Sequence, residues 1–355
     1  MEQQSLSMRE YLLQAARAAP SADNSQPWEF RLQDDRLTIG FDRQRCGDAV
    51  FGAESHPVYL AMGAIAENLV QAAGNLGVSL EWQYRDGDGE YLAVQLPDYK
   101  PEVPETQLDR QLFRRHTNRQ AYRKQALSEE AREAVDAMTE AGARAHYFEG
   151  RDAAEICRLV GVASGLRFRL EEEVNWFADS LRVTPDAIAQ GDGLDIHTLN
   201  LPPMGDRILP ALANWKTLSR FNRFGAYRMM GQAEAKLLAQ GSGVVAIYGD
   251  RGRQASLEAG RLMERLWIEL NRQHLALHPF YVVRAMIDRC RSGLQADLQE
   301  AGGQFIKQYE ASALGQAAGE QELQILFRVG VAKKPAVHSR RLPLKKLVRR
   351  ERAAR

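Results

Sequence analysis

Arg115-His116-Thr117-Asn118-Arg119 puts two guanidiniums and a hydroxyl at alternate positions of a short polar segment. In an extended chain alternate side chains point the same way, so Arg115, Thr117 and Arg119 would converge on one target. Arginine forks match phosphate oxygens, which makes that target an anion or the electron-rich edge of a ring. A second chemistry-bearing stretch is Pro20-Ser21-Ala22-Asp23-Asn24-Ser25-Gln26-Pro27-Trp28. Ser21, Asp23, Asn24 and Ser25 have short side chains that bond nearby backbone, and Pro27 fixes the exit. Such a loop displays backbone N–H groups and the Asn24 and Gln26 amides around a fixed cavity, which suits a flat heterocycle with several acceptors. Taken singly, each stretch has a plainer reading: a helix-stop loop with Trp28 as a core anchor, and a solvated basic loop.

The Pro-Ser-x-x-Asn-x-Gln-Pro-Trp loop combined with Arg-His-Thr-x-Arg resembles the FMN-dependent nitroreductases. Ser339-Arg340-Arg341-Leu342-Pro343 resembles that family's phosphate-binding basic segment. The resemblance implies FMN as cofactor, NAD(P)H as hydride donor and a small organic acceptor such as a nitroaromatic, a quinone or an enone. It carries cofactor binding onto Pro20, Ser21, Ala22, Asn24, Gln26, Arg115, His116, Thr117, Arg119, Arg340 and Arg341. Arg119 would face negative charge on the reduced ring, and Asn24 and Gln26 would bond the ring or the ribityl chain. No catalytic acid or base can be named. In the family the flavin lies across a dimer interface, with the basic motifs from one subunit and the Pro-Ser-x-x-Asn loop from the other.

The elements that must position these residues are readable in outline. Ser7-x-x-Glu10 is a capping box, followed by an apolar stripe at Met8, Tyr11, Leu12, Ala15, Ala16 and Ala19 and a stop at Pro20. The loop precedes the basic motif, the reverse of the order in a standard nitroreductase subunit. An internal duplication explains this: Gly63-x-x-x-Glu67-x-Leu69 and Gly260-x-x-x-Glu264-x-Leu266 open similar helices 197 residues apart (260 − 63). From Pro57 to Leu80 the only charged residue is Glu67, so that helix is expected to be buried all round. The expected fold is α+β, with two pseudo-symmetric nitroreductase-like halves, 1–107 and 108–355, fused in one chain. Each half would hold a mainly antiparallel sheet flanked by helices, around central helices at 57–77 and 256–278. Strands are expected at 91–96, 244–248 and 323–329. Only one composite pocket would carry both motifs, giving one flavin per chain and a monomer acting as a fused pseudo-dimer.

A formal net charge of +1 over 355 residues gives no general reason to expect nucleic acid. Cys46, Cys157 and Cys290 lack metal or redox spacing, and no apolar run approaches the roughly 20 residues of a membrane helix. These features fit a cytoplasmic enzyme without a membrane partner. His274 and His278 read as i, i+4 on a helix without a third metal ligand, so no metal is expected. The eight Lys/Arg residues from Arg340 to Arg355 divide into the phosphate-binding pair Arg340 and Arg341 and a solvated basic tail, 345–355. The segment 180–235 reads as an insert whose aromatic and Met residues could form a lid. That insert, with the incomplete second pocket, also admits a non-enzymatic flavin-binding or flavin-storage protein.

Overall fold

The computed structural model describes residues 5–46, 51–87, 89–97 and 102–350. In chain order its principal elements are α1 (Met8–Arg17), β1 (Trp28–Gln33), β2 (Arg36–Phe41), α2 (His56–Gly74), β3 (Glu81–Tyr84) and β4 (Glu90–Gln95). There follow β5 (Thr139–Glu140), β6 (Ala143–Phe148), α3 (Gly150–Arg167), α4 (Glu171–Ser180), α5 (Gly205–Leu212), α6 (Trp215–Asn222) and α7 (Ala226–Leu238). The last are β7 (Gly243–Gly249), α8 (Arg253–Arg272), β8 (Ala276–Phe280), β9 (Glu322–Gly330) and β10 (Val348–Arg350). The capping box forms: Glu10 N donates to Ser7 Oγ at 3.3 Å and Ser7 N donates to Glu10 Oε2 at 3.0 Å. The chain is α+β, as its strand and helix patterns imply.

The strands make two five-stranded sheets, ordered β10-β1-β2-β4-β3 and β8-β9-β7-β6-β5. Within these two sheets every pairing is antiparallel except that of β10 with β1, which runs parallel with Val348 opposite Phe30. Trp28, Phe30 and Leu32 alternate inward along β1, the period of a half-buried strand. Trp28 is the core anchor its position suggests.

Between the sheets lie α2 and α8, packed along each other. A Cβ on Gly63 would stand 1.9 Å from the Leu257 carbonyl oxygen, and one on Gly260 would stand 2.3 Å from the Leu60 carbonyl oxygen. The two glycines therefore let the backbones touch, and the contact is reciprocal: each glycine meets the carbonyl of the residue three positions before the other. Pro57 through Leu69 are all buried, as a helix apolar on every side requires.

Three expectations change. Helix α8 ends at Arg272, because His274 takes a left-handed φ of +61° and the chain turns into β8. His274 and His278 are thus not on one helix; His278 sits in a strand. The basic tail is not simply solvated. Leu347 is fully buried, and Val348–Arg350 cross the molecule to pair with β1. Leu344, Leu347 and Val348 pack against the main core, an apolar pattern hidden among the tail's cations; residues 351–355 lie outside the described residues. Finally, the insert's aromatic and Met residues divide: one set builds a small core, while Met204, Phe221, Phe224 and Met229 are exposed. Trp215, Leu218, Tyr227 and Met230 pack on Phe168 and Val174.

Candidate functional site

The loop after α1 is strained. Asp23, Asn24 and Gln26 all have positive φ, 49°, 56° and 50°, where non-glycine residues are uncommon and which marks functional loops when clustered. Local bonds hold it: Gln26 N donates to Ser21 Oγ at 2.9 Å, and Ser25 N to the Ala22 carbonyl at 2.9 Å. Pro20, Ser21 and Ala22 are half-buried beside it. The two amides are engaged with distant chain. Asn24 Nδ2 donates to the carbonyls of Gly193 and Arg340, each at 3.1 Å, while its Oδ1 accepts from Arg341 Nη1 at 2.8 Å. Gln26 Nε2 donates to Gly191 O at 2.9 Å, and its Oε1 accepts from Leu342 N at 2.9 Å. With both amides taken up inside the protein, they brace the loop against residues 191–193 and 340–342 instead of being presented to a ring.

Beyond Asn24 lies a cluster of arginines. Arg115 Nη2 donates to Ala18 O at 2.9 Å, and its guanidinium carbon stands 4.6 Å from the Trp267 ring centroid. Its Nε is 2.8 Å from Glu264 Oε1 but out of line for a hydrogen bond. Arg17 reaches the same corner, with Nη1 donating to Leu342 O at 3.3 Å. Glu264 is fully buried on α8. Burial pushes its carboxyl up to about 7, against the pull of Arg115, the Asn68 amide and Arg341. Burial and repulsion from Arg115 bring Arg341 down to about 9, with Glu264 opposing.

Arg115 and Arg341 thus share one carboxylate, and Arg17 adds a third positive charge beside Arg341. The Nε of each and both Glu264 oxygens are buried without an aligned hydrogen-bond partner. Excess buried positive charge with unused N–H donors is the chemistry of an anion site. His338 flanks it, its ring 4.6 Å from that of His116.

The basic motif divides rather than converging. Arg115 caps the short helix Gln111–Arg114, so the alternate-residue rule begins only after it. Thr117 bridges to Leu277, Asn118 N donates to Leu277 O at 2.9 Å and His116 N donates to Asn271 Oδ1 at 3.0 Å. Arg119 then turns to a second environment: its Nη1 lies 3.5 Å from Thr198 Oγ1, and Asp23, Tyr122 and Arg328 supply its nearby charges. Burial holds Arg119 below its ordinary value, opposed by Asp23. Asp23 is itself raised by burial, against the Trp176 hydrogen bond and the charges of Arg167 and Arg119. Trp176 Nε1 donates to Asp23 Oδ2 at 2.8 Å. Of the C-terminal pair, Arg341 points inward and Arg340 is exposed, contributing its carbonyl.

Sequence reasoning missed Arg17, Asn68, Trp267 and Glu264 as parts of this corner, together with Arg328, which stacks 3.8 Å from the Tyr122 ring centroid. Glu264 left a signal, a lone acid in an apolar helix face at the repeat position. Arg328 left one too, a cation inside an apolar strand.

No family model matches the chain, and no curated protein matches it. Solved structures do. An FMN-dependent nitroreductase from Mycobacterium smegmatis, solved with NADPH, aligns at 16% identity over 69% of this chain and 97% of its own, with a TM-score of 0.37. An FMN-bound nitroreductase from Bacteroides fragilis aligns at 9% identity over 64% and 89%, TM-score 0.34. A BluB-like flavoprotein from Clostridium difficile aligns at 12% over 66% and 94%, TM-score 0.35. At such low values the chemistry of the site rests on its own residues.

Proposed function

We propose that the chain is an FMN-binding oxidoreductase of the nitroreductase type, built as a fused pseudo-dimer with one flavin site. The observation that carries this reading is the meeting of three sequence-distant motifs. The Asn24 loop, Arg115 and Arg341 share one corner, where two guanidiniums face a single carboxyl raised to about 7 and Arg17 adds a third positive charge beside Arg341. A phosphomonoester fits that corner, with Arg115 and Arg341 as its forked donors and Arg17 behind them. The reciprocal Gly63 and Gly260 contact supports the fusion, since a two-fold interface meets itself in this way. On this reading the halves are 1–107 and 108–355.

Bound FMN would supply hydride transfer between NAD(P)H and a small organic acceptor. The protein's part is positioning and charge. Arg119, beside Asp23 and Thr198, would stabilise negative charge on the ring system. Asn24 and Gln26 fix the loop that separates the two cationic groups. Trp176 and residues 191–193 seal the loop from solvent. Ser21, Ala22 and Pro20 offer backbone and short side chains, and His116 and Thr117 set the turn between the arginines.

A second reading, flavin storage, is favoured by one feature. Gly193 N donates to Asn24 O at 3.1 Å while Asn24 Nδ2 returns a bond to Gly193 O, so the insert is pinned across the loop. Titration with FMN tests both readings: saturation near one equivalent per chain is expected, and no uptake overturns them together. Anaerobic stopped-flow mixing with NADH and NADPH then divides them. Rapid bleaching of the flavin band is expected for the enzyme, and a flavin that neither nucleotide reduces selects storage.

A further inference from the structure

The outer face of the insert is unlike the rest of the surface. Met204, Ile208, Phe221, Phe224 and Met229, on or beside α5, α6 and α7, are exposed large hydrophobics, and Phe224 is 89% exposed at the tip between α6 and α7. Phe221 and Met229 flank it at 52% and 63%. Single exposed apolar residues are ordinary, but clusters mark interaction surfaces. Between Leu201 and Met230 there are five cations, Arg207, Lys216, Arg220, Arg223 and Arg228, against one acid, Asp206.

The cations are as telling as the apolar residues. Many arginines elsewhere sit on carboxylates, as Arg284 and Arg291 do on Glu322. Among the described residues the side chains of Arg207, Lys216, Arg220 and Arg223 make no hydrogen bond or ion pair, and Arg228 only lies over the Tyr227 ring. The inner face is meanwhile satisfied: Leu218, Tyr227 and Met230 pack on Phe168 and Val174, and Arg167 pairs with Glu234. The hairpin is anchored on one side and presents unpaired positive charge with aromatic and thioether side chains on the other.

We propose that α5–α7 dock the protein on an anionic lipid surface, with Phe224 as the leading apolar residue and Arg220 and Arg223 against the headgroups. Short basic helices with aromatic residues on one side lie in the interfacial plane in this way, and each cation near such a surface adds about 1 kcal/mol. No described helix is long and apolar enough to span a bilayer, so the attachment is peripheral and reversible. Positive charge alone would suit an acidic protein as well; Phe224, 89% exposed at the tip, selects the surface with an apolar phase to enter. The charge disfavours a second copy of this face, whose five cations would meet five others.

Flotation of the full chain with vesicles tests this, using phosphatidylglycerol mixed into phosphatidylcholine, and phosphatidylcholine alone, at 50 mM and 300 mM salt. The expected result is flotation with the anionic vesicles at low salt, weakened at high salt and absent with phosphatidylcholine. Arg220→Ala with Arg223→Ala should lower partitioning roughly twenty-fold or more, and Phe224→Ser should abolish retention at the higher salt. These positions are exposed, so the fold is kept, which the unfolding transition checks. Failure of the unaltered chain to float with anionic vesicles overturns the proposal, as does flotation indifferent to both variants. Concentration-dependent self-association removed by Phe224→Ser, without vesicle binding, would assign the face to a second copy instead. None of these readouts depends on bound flavin.

Discussion

Glu67 and Glu264 stand at matching places on crossing helices, each four residues after the glycine that makes the crossing, yet their surroundings are opposite. Glu67 is bonded by Arg265 Nε at 2.9 Å and Nη2 at 3.0 Å, with Arg261 at 3.4 Å. Burial pushes it up, but the Arg265 and Gln71 hydrogen bonds and the two guanidinium charges reverse this and leave it below its ordinary value. Arg261 and Arg265 bond Glu140 as well, so that cluster balances itself. Glu264 has a single close cation, no aligned hydrogen bond and a carboxyl raised to about 7. One pseudo-equivalent corner is closed by ion pairs within the protein; the other has room in its charge balance for an anion. On the fused pseudo-dimer we propose, the crossing is kept in both copies and the anion-seeking corner in one.

The crossing is where the two halves should behave alike and where the largest effect lies. Gly63→Ala and Gly260→Ala each drive a methyl into a carbonyl oxygen of the facing helix. Each should cost about 3 kcal/mol or more, at or beyond the upper end of overpacking, by chemical denaturation. A large loss at one glycine and none at the other would break the reciprocity.

The acids should then behave differently. Glu67→Gln removes the buried carboxylate that Arg261 and Arg265 share, leaving them Glu140, and should destabilise by about 3 kcal/mol. Glu264→Gln should cost far less at pH 8, because it removes a charge that burial already disfavours. Equal losses in the two variants would erase the distinction between the corners.

Ligand affinity sharpens the same contrast. Arg341→Ala should weaken FMN binding roughly ten- to a hundred-fold, the loss of a charged hydrogen bond of about 1.5–3 kcal/mol, followed by quenching of flavin fluorescence. Arg265→Ala, in the closed corner, should leave affinity within about twofold on the same scale of error. If Arg265 matters as much as Arg341, the anion site has been placed in the wrong half.

The last contrast is a pH slope. A carboxyl at 4.5 unfolded and about 7 folded holds more protons in the folded state between those values. Stability therefore falls as pH rises from 4.5 to about 7 and levels off above. Glu264→Gln should flatten that stretch of the denaturation-midpoint profile, and it should bind FMN more tightly than the parent at pH 8 but equally at pH 5.5. A slope that survives the substitution belongs to another group.

Local sequence determined a good deal of this molecule. The capping box, the Pro20 stop, the strand at Trp28 and the all-apolar helix around Gly63 follow from side-chain periodicity and backbone sterics that act within a few residues. The spacing of the two Gly-x-x-x-Glu motifs forecast a pair of like helices. Residue types singled out Asn24 and Arg115, and the resemblance to the nitroreductase motifs added Arg341; the fold brings the three together.

Only the tertiary structure decided what those residues do. The Asn24 and Gln26 amides looked available because the loop's sequence does not reveal Gly191, Gly193 or Leu342 as partners. Arg115 and Arg119 looked convergent because a short helix ending at Arg114 is invisible in a five-residue motif. Charge balance is the deepest reason. Whether a buried guanidinium is quenched or left to seek an anion depends on which carboxylates lie within a few ångströms, and chain segments hundreds of residues apart set that distance. Glu67 and Glu264 have the same local motif, and three-dimensional packing alone gave one its two arginines and left the other near neutrality.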